Sequence, residues 1–125
     1  MRHFSTVVTA VSPEARELIA GGVLILFAEG APPELAEVSV LHRIVMPPAA
    51  EAPAAGATLT IAGLSTRITA IGDKAWAKIA DIGHVVINFN GSTAAPRPGE
   101  ISVAPVNLTA LADGLAPGAV IVIDG

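Results

Sequence analysis

With 125 residues the chain is sized for one domain and one core, spanning 1–125. It has no cysteine, which removes disulfides, thiolate metal sites and thiol nucleophiles together and suits a reducing cytoplasm. The net charge is −4, the seven Lys and Arg are scattered, and Tyr is absent, so the clustered cations and stacking aromatics of a nucleic-acid binder are missing.

Apolar residues make up 52% of the chain but only three Phe and one Trp occur, so the core must be built from Val, Ile, Leu and Ala. The longest membrane-like stretch, Ile19 to Ala28, is about half the length a spanning helix needs. After Arg2 the apolar run is broken by Ser12, Pro13 and Glu14, which makes a poor secretion signal. A soluble, cytoplasmic protein is expected.

In chain order, Thr6 to Val11 is rich in Val and Thr and reads as a strand. Ser12-Pro13-Glu14 then opens a helix with a capping hydroxyl, a first-turn proline and a carboxylate facing the dipole; Gly21-Gly22 stops it. Val23 to Ala28 is a continuous apolar run, expected as a buried strand, and Glu29 to Pro33 is a turn. Glu37 to Met46 is the next strand. Pro47 to Gly56 is an Ala/Pro loop with no apolar face, expected to be exposed. Thr58 to Ala62 and Thr66 to Ile71 pair as a hairpin around Gly63-Leu64-Ser65.

Asp73 is placed to cap a short helix, Lys74 to Ile79, that carries Trp76 inward and ends at Gly83. His84 to Phe89 is a strand closed by Asn90-Gly91, and Ser92 to Gly99 is a second loop. Glu100 to Ala104 and Ala119 to Ile123 are the last strands, with a helical turn over Leu108 to Leu115 between them. The fold class expected is mainly β: a small closed or partly open barrel of about seven or eight short strands with one or two short helices. No helix should exceed about three turns. No internal repeat stands out; Gly22 to Gly30 and Gly83 to Gly91 look alike, but their phenylalanines fall out of register.

No phosphate-binding loop of the form G-x-x-x-x-G-K-[ST], no G-x-G-x-x-G and no G-x-S-x-G elbow is present. The titratable residues worth weighing are three histidines. His3 lies near a terminus prone to fray and is assigned no role. His42 falls on the strand face that carries Val38, Val40 and Ile44. Such a histidine is ordinarily a core residue bonded to a carbonyl, and a functional group less often. His84 opens a strand after Gly83 on the more polar face, where a surface histidine is the ordinary reading. Glu29, Glu34 and Glu37 form an acidic rim before His42. A zinc site from His42, His84 and one glutamate has no supporting motif.

The stretch Ile25-Leu26-Phe27-Ala28-Glu29-Gly30-Ala31-Pro32-Pro33-Glu34-Leu35, followed by Leu41-His42, resembles the sorbitol (glucitol) IIA proteins of the bacterial phosphoenolpyruvate:sugar phosphotransferase system. The resemblance continues through Ile68 to Gly72, Ile82-Gly83-His84-Val85, Phe89 to Gly91 and Leu115 to Gly118, covering nearly the whole chain in order. It implies a phosphocarrier, a phosphotransferase component in which His42 takes a phosphoryl group from the carrier protein HPr. The group then passes to the IIB part of a membrane permease with its IIC component, for coupled sugar uptake, with no ATP, metal or other cofactor. Where the family's pattern can carry a second histidine two residues on, this chain has Ile44.

From their positions, His84 and backbone N–H groups near Gly83 are expected to contact the phosphoryl oxygens, with the two imidazoles close together. Glu29, Glu34, Glu37, Val38, Val40 and Ile44 are expected to form the docking surface for partners, and at least one ring nitrogen of His42 should reach solvent in a shallow apolar depression. The competing class is a regulatory or ligand-binding barrel of the same fold that docks a partner without carrying phosphate.

Overall fold

The computed structural model describes residues 1–125. Eight strands close into one barrel: β1 (Arg2–Val11), β2 (Val23–Ala28), β3 (Val40–Met46), β4 (Thr58–Ile61), β5 (Leu64–Ile71), β6 (Val85–Asn88), β7 (Glu100–Val103) and β8 (Val120–Asp124). Around the wall they run β1-β3-β2-β6-β7-β5-β4-β8. The pairs β2–β3 and β6–β7 are parallel and the remainder antiparallel. Four short helices decorate it: α1 (Pro13–Ala20), α2 (Pro33–Ala36), α3 (Ala75–Ile82) and α4 (Leu108–Gly114). None exceeds eight residues, and no helix is long and apolar enough to cross a membrane.

The local chemistry explains most boundaries. Ser12 caps α1 by accepting from the Ala15 N–H at 3.0 Å, and its own hydroxyl donates to the Glu37 carbonyl at 2.7 Å. Asp73 does not cap α3: the N-cap position falls on Lys74, which makes no side-chain cap bond. The β4–β5 turn is two residues, Ala62-Gly63, both at positive φ (51° and 82°), so β5 begins at Leu64, earlier than expected. Pro33-Glu34-Leu35-Ala36, expected partly as turn, forms a single helical turn that makes the β2–β3 connection parallel. β1 starts at Arg2 rather than Thr6, because Arg2 to Val7 pair with β8. His3 is therefore held in a strand, 8% exposed, and does not fray. Pro47 to Gly56 is a largely exposed loop, tied at Ala49 by the His3 carbonyl and the Trp76 indole N–H.

The barrel is an internal pseudo-repeat, which the sequence reading missed. Exchanging β1 with β5, β2 with β6, β3 with β7 and β4 with β8 returns the same ring of neighbours. The registers agree: Leu26 opposes Val40 as Ile87 opposes Ile101, and Val8 opposes His42 as Ile68 opposes Val103. Even the irregularity in the antiparallel ladder recurs, between Val8 and Ala10 and between Ile68 and Ala70. Gly22–Gly30 and Gly83–Gly91 are the corresponding segments. Their backbones kept register while the side chains diverged, Phe27 standing where the other half has Asn88 and Ala28 where it has Phe89. The interior is filled by inward residues of both halves, among them Phe4, Leu24, Leu26, Ile68, Ile87 and Ile101.

Candidate functional site

His42 projects inward from β3 and is 1% exposed. Its ring stands edge-on to Phe4, centroids 6.4 Å apart. Nε2 lies 2.6 Å from the Gly83 carbonyl, and a carbonyl only accepts, so Nε2 carries a proton. Nδ1 lies 2.6 Å from the Thr6 hydroxyl, which also approaches the Arg43 carbonyl at 2.8 Å. One hydroxyl proton cannot serve both. With a neutral ring it goes to Nδ1; with a charged ring Nδ1–H donates to Thr6 and the hydroxyl turns to Arg43. Burial pushes the His42 pKa below the usual histidine value, opposed by the Gly83 carbonyl and by the Glu29 charge. The neutral form, with its lone pair on Nδ1, is therefore the resting one near neutral pH.

The other half of the barrel supplies an internal control. Thr66, the counterpart of Thr6, donates to the Ala104 carbonyl at 2.8 Å as Thr6 approaches Arg43. The counterpart of His42 is Val103, fully buried. The backbone of that position thus closes a barrel wall with a plain aliphatic side chain. On the His42 side the ladder is altered to suit an imidazole: the Gly22 carbonyl accepts from the Phe89 N–H, whereas the Gly83 carbonyl is given to Nε2.

The expectation that a His42 nitrogen reaches solvent is overturned, since both nitrogens are bonded inside the wall. The docking role expected of Val40 is overturned for the same reason: it is 0% exposed and belongs to the core. Alternation along β3 sends Val40, His42 and Ile44 to the interior, leaving Arg43 and Val45 exposed. Val38 and Ile44 are half-buried, while Glu29, Glu34 and Glu37 are exposed. The Glu29 N–H bonds the His42 carbonyl at 3.0 Å, which holds one member of the acidic rim next to the histidine.

His84 is joined to His42 only through backbone. The carbonyl that His42 binds belongs to the preceding residue, but the two imidazoles face different surroundings. His84 Nδ1 donates to the Leu26 carbonyl at 3.0 Å, and its ring tilts over Phe27 at 4.9 Å. Nε2 has no protein partner and is not sealed off. His84 lines an open groove with Lys74, Lys78 and Arg97, which His42 does not line. The backbone N–H groups expected to meet a phosphoryl group are also engaged, Gly83 with Ile79 and His84 with Lys78. No group of three metal-ligating side chains forms.

The ordinary reading of His42, a core histidine bonded to a carbonyl, is met, but sequence reasoning named neither Thr6 nor Gly83 as its partners. A hydroxyl among the inward positions of β1 was the available signal for the first; a backbone carbonyl leaves none.

The model of the family "PTS system glucitol/sorbitol-specific IIA component" matches residues 3–120. The glucitol/sorbitol-specific EIIA components of Shigella flexneri and of Escherichia coli K12 are each 31% identical over 119 residues, covering 94% of this chain and 91% of theirs. A crystal structure of a PTS system IIA component from Enterococcus faecalis V583 superposes with a TM-score of 0.69 at 20% identity, covering 94% of this chain and 96% of that one, and shares the fold. The chain belongs to the glucitol/sorbitol-specific IIA component family of the sugar phosphotransferase system and is a phosphotransferase component of it.

Proposed function

We propose that residues 1–125 form a single cytoplasmic phosphocarrier domain in which His42 is phosphorylated. It takes its phosphoryl group from phospho-HPr and hands it to the IIB component of a glucitol/sorbitol-type permease, whose IIC component moves the polyol. The observation that carries the assignment is the contrast of His42 with Val103: the same wall position needs no histidine for packing, yet here the Gly83 carbonyl is given to one, and Thr6, whose counterpart Thr66 bonds only a backbone carbonyl, also meets its Nδ1. The resemblance that singled out the segment before Leu41-His42 points the same way.

The chemistry asks little more. A neutral imidazole nitrogen attacks phosphorus, the N–P bond to the donor histidine breaks, and the donor ring leaves with the electron pair and takes up a proton. The protein's part is to fix the tautomer and mount the ring on a rigid strand. Reaction at Nδ1 displaces the Thr6 hydroxyl; reaction at Nε2 requires that nitrogen to give up its proton and its Gly83 bond. Either way the ring must leave its buried pose, and Glu29, Glu34 and Glu37 are proposed as the polar rim where a partner docks.

The test is incubation with phosphoenolpyruvate, enzyme I and HPr, alongside His42→Gln and His42→Val, both checked for folding. Wild type should gain one acid-labile phosphate and both variants none. Uptake at the normal rate by His42→Gln would overturn the assignment.

A further inference from the structure

The groove beside His84 has a composition the rest of the surface lacks. The chain carries seven Lys and Arg in all against eleven Asp and Glu, yet both of its lysines and Arg97 line this one groove of about 320 Å³. The single carboxylate among them, Glu100, is already engaged: one oxygen accepts from the Asn88 amide at 2.7 Å and the other pairs with Arg97 at 3.3 Å. Lys74 and Lys78 have no ion-pair partner. His84 adds a nitrogen with no protein partner, its ring fixed by the Leu26 carbonyl.

The walls are fixed as well. The Ser92–Gly99 loop is pinned to the start of α3, where the Lys74 N–H donates to the Pro98 carbonyl at 2.9 Å. Gly72 packs so closely there that an added Cβ would lie 2.3 Å from the same oxygen. Lys78 reaches back across the groove to Gly99, where an added Cβ would come within 3.3 Å of Nζ. The pseudo-repeat shows that these cations are no requirement of the fold. Aligning the buried pairs Ala15/Ala75 and Ile19/Ile79 puts Glu14 and Leu18 of α1 where α3 has Lys74 and Lys78. The strand register puts Val23 where β6 is preceded by His84.

We propose that this groove is an oxyanion site for a phosphate-type dianion. Lys74, Lys78 and Arg97 supply charge and donors around its oxygens, and His84 forms part of the lining. Phosphate bound on an enzyme-borne histidine and phosphate free in solution share that chemistry. The inference stands on the groove's own residues and goes beyond the His42 assignment.

The experiment is a titration of the ¹⁵N-labelled protein with inorganic phosphate, with phosphoramidate as an N–P mimic and glycerol phosphate as an O–P ester, at constant ionic strength. Saturable shifts are expected at His84, Gly99 and the first turn of α3. Lys74→Ala/Lys78→Ala should raise the dissociation constant at least tenfold while leaving the amide spectrum of the barrel intact. A preference for phosphoramidate over the ester identifies the N–P group as the ligand; the reverse order identifies a phosphate ester. Shifts spread equally over Arg2, Arg16 and Arg43, or binding unchanged in the double variant, overturn the proposal. Phosphoryl uptake from HPr, measured on the same samples, separates the two readings: carriage without saturable binding sinks the groove alone, and saturable binding without carriage sinks the His42 assignment alone.

Discussion

The Thr6 hydroxyl is the hinge of the His42 environment, because its one proton reports the charge of the ring. A neutral ring takes that proton at Nδ1 and leaves the Arg43 carbonyl weakly served; a charged ring restores the Arg43 bond but places a cation against Phe4 in the barrel interior. Desolvation wins, which is why the folded-state pKa lies below the ordinary value of 6.5. The sign for stability follows. Between the depressed folded pKa and the unfolded one the unfolded chain binds the extra proton, so stability is fully present above about pH 6.5 and falls as the pH drops through that window. The fall can reach about 1.4 kcal/mol per pH unit, and it levels off once the folded ring is also charged. Urea unfolding of wild type and His42→Gln across pH 8 to 4 should show this loss in wild type only, since glutamine can donate to Gly83 and accept from Thr6 without titrating. Parallel curves for the two proteins would mean that His42 carries no depressed pKa. Only part of this was legible in the sequence: alternation placed His42 on the apolar face, where a carbonyl partner is the ordinary reading, but its actual partners, the Thr6 hydroxyl on the neighbouring β1 and a backbone oxygen 41 residues away, come together only in the barrel.

Elements read best where one residue type decides the backbone. Ser12-Pro13 marked the start of α1, the Val23–Ala28 run marked β2, and the absence of any extended helical period correctly limited helix length. Turns were less legible. Gly63 signalled the β4–β5 hairpin, but that alanine would occupy its other left-handed position could not be read from Ala62. Gly83 combines two constraints at one residue. It ends α3 in the left-handed region at φ 64°, and an added Cβ would lie 2.7 Å from that of Ala28. Gly30 also has positive φ, 86°, but open space around it. Gly30→Ala should therefore cost only the backbone term, about 1–2 kcal/mol. Gly83→Ala should cost clearly more, because the Ala28 contact forces the chain apart and moves the carbonyl that His42 binds. Equal losses in urea unfolding would show that the contact is relieved without strain. In a well-behaved Gly83→Ala variant the His42 ring signals should also shift, whereas Gly30→Ala leaves them in place.

At the scale of the whole molecule, the closed barrel was foreshadowed by many short strands with regular turns, while its two-fold pattern was hidden because register is a backbone property and the side chains of the two halves had diverged. That pattern also bears on how a sealed histidine could serve as the carrier proposed above. A phosphoryl group brings about two negative charges, and a dianion buried beside Phe4 and Thr6 without a paired cation would cost far more than the domain's whole stability. On the proposed assignment, the phosphorylated ring must therefore sit outside the wall. Two contacts are then lost at the rim where β2, β3 and the start of β6 meet: the Nε2 bond to Gly83 and the packing that holds the Glu29 N–H on the His42 carbonyl. The counterpart rim around Val103 has no reason to change. Amide exchange on the protein phosphorylated through HPr should accordingly speed up at Glu29, Gly83 and His84. Gly91, bonded to the Val103 carbonyl, should keep its protection, as should Ile101 and Ile68 in the other half. If protection is lost equally in both halves, phosphorylation loosens the barrel as a whole. If it changes nowhere, the phosphoryl group is not on His42, because in the closed wall that ring is 1% exposed and both of its nitrogens are bonded.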